Sequence, residues 1–231
     1  MKKIGLIGGL SWVSTADYYR RLNQITQNTA GGVHSARLVL ESVDRQDYVD
    51  AVIHRQDESA ACQQILEAAQ NLEKAGAEFI VISCNDVHRF VPQITPNINI
   101  EFLHIAEVTA RAIKAQNLNR VALLGVRKTM ESDFYQTILE SHDIDVIIPN
   151  EQQRTYIHDA IMNEMVADIF TQTTRQGYLD IISALACEGA EGVILGCTEI
   201  PMLLEAKDIA IPSFSTTELH CRAAVEMALA P

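Results

Sequence analysis

The chain has 231 residues, 48% of them hydrophobic, which is enough for one large α/β domain or two small ones with a buried core. A formal net charge of −12, with no run rich in lysine and arginine, argues against nucleic acid or an anionic membrane surface as a partner. No apolar stretch reaches the length of a membrane span and the N-terminus lacks the pattern of a secretory signal, so we expect a cytoplasmic protein.

Eight short apolar runs predict β-strands along the chain. In chain order they are Lys3–Ile7, Ala36–Glu41, Glu78–Ser83, Ile98–Leu103, Arg120–Leu124, Ile144–Ile148, Gly192–Leu195 and Ile209–Ser213. Their continuous apolarity is typical of parallel strands that are covered on both faces. Amphipathic segments between them predict helices, and Ser14 followed by Asp17 resembles a capping box at the start of the first one. The alternation indicates a doubly wound α/β fold.

The chain also contains an internal repeat. Residues 2–19 resemble residues 119–135, and residues 73–87 resemble residues 186–200, in the same order and at similar spacing. Two matches in register indicate a duplication of one ancestral unit.

This duplication predicts two similar lobes related by a pseudo-twofold axis, each with an open parallel sheet flanked by helices. We assign residues 1–103 and 208–231 to the first lobe and residues 104–207 to the second, because the second repeat ends near residue 208. Ligands bind beyond the carboxyl ends of the strands in such sheets, so we expect the active site in the cleft between the lobes.

Two of the five cysteines occupy matching positions in the repeat. Cys84 and Cys197 each follow a predicted strand, whereas Cys62, Cys187 and Cys221 fall in predicted helices and are interpreted as packing residues. The odd number and the spacing favour neither a disulfide framework nor a zinc site. If the lobes face each other, one thiol can remove a proton from a carbon acid while the other returns a proton to the opposite face. That arrangement is suited to stereoinversion.

Motifs along the whole chain resemble those of a known family. The segments GGLSW, CN followed by VH, ALLG followed by KTME, IIPNE, GVILGCTEI and TTELH occur in order from end to end. Together they resemble the aspartate/glutamate racemase family, particularly its broad-specificity amino-acid racemase branch. The resemblance implies that the partner is a small-molecule amino-acid substrate, that racemisation needs neither pyridoxal phosphate nor a metal, and that the protein is a homodimer. No cofactor is expected, since the loop GLIGGLSW lacks the complete GxGxxG pattern of a dinucleotide site.

The resemblance further implies roles for individual positions. Cys84 and Cys197 match the catalytic thiols of the family. Asn85 and Thr198, beside them, are expected to hold the substrate α-carboxylate together with backbone N–H groups of the two turns. Ser11, in the loop after the first strand, is a further candidate for the lining of the site.

Four positions depart from the family pattern. Asp86 stands where the family has threonine, Val13 replaces glutamate, Val126 replaces threonine and Ser215 replaces aspartate. A carboxylate at position 86 would repel an acidic substrate unless it is protonated or paired. We therefore expect a preference for neutral or basic amino acids, with the alternative that Asp86 points away and caps the following helix.

Several other polar residues lie near the motifs, and most of them allow two interpretations. Arg55 could bind a substrate carboxylate bidentately, or it could be a solvated loop arginine. His88 could hold the neighbouring thiol as thiolate, although a helical histidine is more often a supporting or surface residue. Arg127 and Lys128 could assist from the loop after the fifth strand, or they could be solvent-exposed. His158 is interpreted as structural.

Two competing functions remain at this point. Relatives of the family use similar cysteine clefts for hydantoin racemisation, maleate isomerisation or decarboxylation of malonates, and the retention of both thiols disfavours the decarboxylase. The altered surroundings of the thiols also leave open a ligand-binding protein that has lost its catalytic activity.

Overall fold

Two four-stranded parallel sheets organise the chain in a computed structural model that describes residues 1–230. They belong to two units: Met1–His104 with the chain from His220 onward, and Ile105–Leu219. The predicted α/β fold with two similar lobes is confirmed. Within the described residues, no helix is long and apolar enough to cross a bilayer.

The first unit has the strand order β2-β1-β3-β4. Its strands are β1 Ile4–Gly8, β2 Leu38–Ser42, β3 Phe79–Ile82 and β4 Glu101–Phe102. Its helices are α1 Trp12–Ala30, α2 Arg45–Val49, α3 Glu58–Lys74 and α4 Val91–Ile94, with a π-helical turn at Asp50–His54 and 3₁₀ turns at Asp86–Phe90 and Thr95–Asn97.

The second unit repeats this order as β6-β5-β7-β8. Its strands are β5 Arg120–Leu124, β6 Asp145–Ile147, β7 Gly192–Leu195 and β8 Ser213–Ser215. Its helices are α5 Ile105–Ala115, α6 Arg127–Glu131, α7 Asp133–Ser141, α8 Glu151–Asn163, α9 Gln172–Cys187 and α10 Ile200–Leu203, with 3₁₀ turns at Met165–Ala167 and Ala206–Asp208. The last helix, α11 Thr216–Leu229, begins in this unit and continues into the first.

The central strands of each sheet are buried on both faces, as the continuous apolar runs predict, whereas the edge strands β2, β4 and β6 are half-buried or exposed. Along β3, Ile80 and Ile82 pack against α3, while Phe79 and Val81 pack against α1 and α11. The same division holds along β7, where alternate residues face α8 and α9 on one side and α5 and α7 on the other. The period of two therefore sorts the apolar side chains of every central strand into two cores.

The last strand differs from its predicted position. We expected Ile209–Ser213, but β8 covers Ser213–Ser215, while Ile209 packs with α9 in the core of the second unit. Pro212 has no N–H for the ladder, so it stands just before the strand. Because β8 pairs with β7, residues 208–219 lie with the second unit rather than with the first lobe as expected. Pro231, the end of that expected range, lies outside the described residues.

A buried histidine ties α11 into the first unit. His220 is fully buried, and its Nε2–H donates to the carbonyl of Leu103 at 2.8 Å. Its Nδ1 is then the acceptor for the Tyr18 hydroxyl at 3.1 Å. Burial lowers the pKa of His220 to about 4, from an ordinary value of 6.5. The folded protein therefore holds this imidazole neutral.

This burial predicts a specific loss of stability in acid. The unfolded chain takes up a proton on His220 below about pH 6.5, whereas the folded chain resists it down to about pH 4. The contribution of the neutral ring is therefore complete above pH 6.5 and is lost as the pH falls toward 4, by about 3 kcal/mol. His220→Gln keeps a donor near the Nε2 position but does not titrate, so its free energy of unfolding should fall less over that range. Urea unfolding of both proteins at pH 7, 5 and 4 measures the difference, and parallel curves would contradict the prediction.

Candidate active site

The two thiols predicted to be catalytic both follow the central strands of their sheets. In the first unit β1 pairs with β3, and Ser83 N–H extends the ladder to the carbonyl of Ile7 at 3.0 Å before the chain turns at Cys84. In the second unit β5 pairs with β7, and Gly196 N–H donates to the carbonyl of Leu124 at 2.7 Å just before Cys197. Each unit therefore carries one half-buried thiol at the carboxyl edge of its sheet.

The loop after β1 packs closely against the segment that follows β2. Gly9 has φ of 90°, and a Cβ atom there would lie 2.0 Å from the carbonyl oxygen of Val43, so only glycine fits. Its N–H donates to the hydroxyl of Thr15 at 2.9 Å, and that hydroxyl lies 3.3 Å from the hydroxyl of Ser83. These contacts connect the loop to the residue that precedes Cys84.

Ser11 begins the first helix. Its side chain accepts a hydrogen bond from the N–H of Ser14, so Ser11 rather than Ser14 is the N-cap. The predicted capping box is therefore wrong, because Asp17 pairs instead with Arg20 and Arg21 on the outer face of α1. Ser11 nevertheless stays at the carboxyl edge of β1, where the sequence placed it.

The turn after Cys84 is fixed by its own backbone and by His88. Asn85 is buried and its carbonyl accepts from the His88 N–H at 3.1 Å. The His88 ring donates from Nδ1 to the carbonyl of Cys84 at 2.8 Å. In this arrangement the imidazole holds the backbone of the cysteine, which differs from the predicted role of holding its thiolate.

Asp86 takes part in a buried charge network. Its Oδ2 accepts from the guanidinium of Arg89 at 2.5 Å and from the hydroxyl of Tyr48 at 3.1 Å. Arg89 also binds Glu58 at 2.7 Å and donates to Tyr48 at 3.1 Å. Only 12% of the Asp86 side chain and 11% of the Arg89 side chain are exposed, so the pair is largely removed from solvent.

The network changes the interpretation of Asp86. The side chain does not cap the following turn, since Asn85 is its N-cap and makes no side-chain capping bond. Burial raises the pKa of Asp86, and the charge of Arg89 and the hydrogen bond from Tyr48 oppose that rise. Asp86 is thus a paired residue, which is the condition under which its repulsion of an acidic substrate is reduced.

Cys197 has a carboxylate partner in the second unit. Its Sγ donates to Oε2 of Glu199 at 2.9 Å, and the Thr198 hydroxyl donates to the same oxygen at 2.9 Å. Glu199 is 3% exposed. Glu199 was not predicted as a site residue, although it lies inside the GCTE motif and a carboxylate two residues after a thiol was a signal that could have found it.

A tyrosine stands near each thiol, and neither was predicted. Burial raises the pKa of Tyr48, and nearby Asp86 and Cys84 raise it further. Burial likewise raises the pKa of Tyr178, with Cys197 as the next contribution, and its hydroxyl donates to the carbonyl of Ile157 at 3.0 Å. Nothing in the local sequence around these tyrosines marks them, because they approach the thiols only through the tertiary fold.

The remaining predicted residues lie at different kinds of position. Arg55 is exposed and follows the π-helical turn Asp50–His54. Arg127 pairs with Glu131 and Glu151 at 2.8 Å each, so its guanidinium belongs to a surface ion-pair network. His158 accepts from the backbone N–H of Arg127 at 3.3 Å, which agrees with a structural role.

Comparisons with known proteins identify the family of the chain. A family model described as Asp/Glu/Hydantoin racemase matches residues 7–224. The chain is 24% identical to the broad specificity amino-acid racemase RacX of Bacillus subtilis (strain 168), over 98% of both chains. These matches confirm the resemblance found in the sequence motifs.

Two crystal structures extend the similarity to the whole fold. A candidate Asp/Glu racemase from Yersinia pestis is 41% identical, with a TM-score of 0.92 over 100% of both chains. An aspartate racemase homologue from Pyrococcus horikoshii OT3 is 29% identical, with a TM-score of 0.86 over 99% of both chains.

The charge network yields a stability prediction. Arg89→Met leaves the buried carboxylate of Asp86 without its cation, so the free energy of unfolding should fall by about 3 kcal/mol. The double variant Asp86→Asn with Arg89→Met removes both charges and should lose less than the single variant. Glu58→Gln is the matched control, because its partner is the same arginine but its side chain is 42% exposed, and it should cost less than about 1 kcal/mol. Urea unfolding measures all three, and an equal loss for Arg89→Met and Glu58→Gln would refute the prediction.

Proposed function

The chain belongs to the Asp/Glu/Hydantoin racemase family, and we propose that it racemises amino acids with Cys84 and Cys197 as opposed acid and base. The observation that carries the proposal is the matching position of the two thiols, each separated by one residue from the end of a central strand of its own sheet, β3 or β7. Equivalent positions in a duplicated fold supply the two proton-transfer groups that inversion at one carbon needs.

The chemistry needs one thiolate and one thiol at a time. The thiolate takes the α-proton, and the opposite thiol gives its proton to the other face of the resulting carbanion and becomes the new thiolate. The hydrogen bond from Cys197 to Glu199 supports a resting state in which Cys197 holds the proton and Cys84 is the base. The reverse reaction exchanges the two roles.

The substrate α-carboxylate is proposed to lie between the two turns. Asn85 and Thr198 stand directly beside the thiols, and Ser11 lies at the same edge of the first sheet as Cys84. Arg55, which is exposed, is proposed to reach the carboxylate from the segment after β2. These donors would stabilise the negative charge that develops as the α-proton leaves.

We propose neutral or basic amino acids as the preferred substrates. The network near Cys84 contains two carboxylates, Asp86 and Glu58, against one guanidinium, Arg89. With all three ionised it keeps a net charge of −1, which repels an acidic side chain even though Asp86 is paired. The 24% identity to a broad specificity amino-acid racemase supports a substrate outside aspartate and glutamate.

Three further features follow from the proposed function. Two thiols complete the proton transfers, so the reaction is proposed to proceed without pyridoxal phosphate or any other cofactor. The protein is proposed to be a homodimer, as the family resemblance implies, and to act in the cytoplasm, as expected from the sequence. Light scattering after size-exclusion chromatography at assay concentration tests the dimer, and a mass of one chain would contradict it.

The two-thiol mechanism predicts the behaviour of single cysteine variants. In D₂O with a panel of L-amino acids, the wild-type protein should incorporate deuterium at the α-carbon and form the D-isomer. Cys84→Ala and Cys197→Ala should each lower D-isomer formation by at least about 100-fold, because each removes one of the two proton-transfer groups. Cys187→Ala, which changes an exposed cysteine in a helix, is the control and should match the wild type. Racemisation that survives in either catalytic variant contradicts the mechanism, and no exchange with any amino acid contradicts the function.

The substrate proposal predicts an order of rates. L-homoserine and L-lysine should be racemised faster than L-aspartate by the wild-type protein. Asp86→Asn removes one negative charge from the network, so it should raise kcat/KM for L-aspartate relative to L-lysine by several-fold. Glu58→Gln removes a charge that is more exposed to solvent and should change the ratio less. Faster racemisation of L-aspartate than of either other substrate by the wild type would overturn the proposal.

A further inference from the structure

Three histidines lie together behind the Cys84 turn in the first unit. The ring of His88 is 4.9 Å from the ring of His104 and 5.4 Å from that of His220, measured between centroids. His88 and His220 are both fully buried. The chain has seven histidines, so nearly half of them meet at this one place.

The hydrogen bonds define the tautomer of His88. Its Nδ1–H donates to the carbonyl of Cys84 at 2.8 Å, so the neutral ring carries its lone pair on Nε2. That atom is buried and has no hydrogen-bond partner among the described residues. A side chain that served only to fill the core would avoid such a buried polar atom. The hydrogen bond from Nδ1 to the Cys84 carbonyl is the polar interaction that offsets the cost of the unpaired Nε2.

The surroundings of His88 keep the ring neutral. His104, after β4, and His220, on α11, face it, and the backbone of Cys84 and Asn85 contacts it from its own turn. Burial, followed by the two other imidazoles, holds the pKa of His88 well below its usual value. On its own turn, the charges of Asp86 and Arg89 are paired with each other.

The partners of His88 stand at the two places where the chain changes unit. His104 is the last residue of the first unit before the second begins, and His220 is the first residue after the chain returns. His220 is fixed in turn by Leu103 and Tyr18. The ring that holds the Cys84 carbonyl is therefore packed against two well-anchored segments of the chain.

We propose that His88 is a positioning residue for Cys84: its neutral ring, held between His104 and His220, fixes the cysteine carbonyl and with it the direction of the thiol. The catalytic meaning of this role rests on the proposed function. The effect of His88 on the geometry and reactivity of the Cys84 thiol does not depend on that function. His88 itself transfers no proton to or from the substrate in this proposal.

Two amide variants separate this role from simple packing. His88→Asn places an N–H donor near the position of Nδ1, whereas His88→Gln places it near that of Nε2. His88→Ala removes the ring altogether. The rate of alkylation of each cysteine by iodoacetamide between pH 6 and 9, followed by mass spectrometry of the peptides, reports the reactivity of Cys84 without any substrate.

The expected result is local to Cys84. His88→Gln and His88→Ala should change its alkylation rate at pH 7.5 by at least fivefold, with changes below twofold at Cys197 and at the exposed Cys187. His88→Asn should restore the rate to within about twofold of the wild type. An unchanged Cys84 rate in His88→Ala, or equal changes at all three cysteines, would overturn the proposal.

A spectroscopic measurement covers the case in which His88→Ala fails to fold. Long-range ¹H–¹⁵N correlation spectra of the wild-type protein distinguish the tautomers of each imidazole, with the His88→Asn spectrum giving the assignment. His88 should be the Nδ1–H tautomer at pH 7, and finding the Nε2–H tautomer would refute the proposal.

If no amino acid undergoes exchange while Cys84 alkylation still depends on His88, the proposed function fails and the positioning role stands. If exchange occurs and alkylation does not depend on His88, the positioning role alone fails.

Discussion

The parallel pairing of the first and third strands of each unit determines where the chemistry of the molecule can lie. Ile7 is in register with Ile82, and Leu124 with Leu195, so both strands of each pair end at the same edge. The loop after the first strand and the cysteine after the third strand therefore meet there. Because the ladder bonds extend through Ser83 and Gly196, the positions of both thiols follow from backbone pairing before any side chain is considered.

The duplicated units have nevertheless acquired different polar surroundings. Each thiol is followed two residues later by a carboxylate, but Asp86 is bound to Arg89 and Tyr48 whereas Glu199 accepts a hydrogen bond from its own cysteine. A carboxylate beside a thiol favours the protonated form, and one neutralised by a guanidinium does so less. The pseudo-symmetry of the fold thus holds for the positions of the two cysteines and breaks for the charges around them, and this difference is compatible with the proposed reaction, which uses one thiol and one thiolate.

The sequence predicted the fold well because strand patterns and repeats are local signals. Seven of the eight strands overlap their predicted ranges by at least two residues, and the exception, β8, was displaced by Pro212. The network around Asp86 could not be predicted in the same way, because Tyr48, which binds Asp86, and Glu58, which binds Arg89, lie 38 and 28 residues before Asp86 in the chain and no periodic pattern links them. Without those residues the sequence left open whether Asp86 is paired, repels an acidic substrate or caps the following helix. Glu199, in contrast, was visible in the motif itself.

The turn that carries Cys84 is stabilised by ionic contacts on one side and by the packing of neutral imidazoles on the other. Asp86 and Arg89 bind outward to residues of α2 and α3, while His88 lies inward between two other imidazoles. The contacts of Asp86 and Arg89 depend on their charges, whereas the contact of His88 depends on a neutral ring. A protonated, fully buried His88 would carry an N–H at Nε2 for which no described group is an acceptor. The effect of a substitution at position 86 therefore depends on Arg89 and His88 in the same turn. Aspartate is compatible with this turn because Arg89, three residues later, supplies the opposite charge while His88 stays neutral.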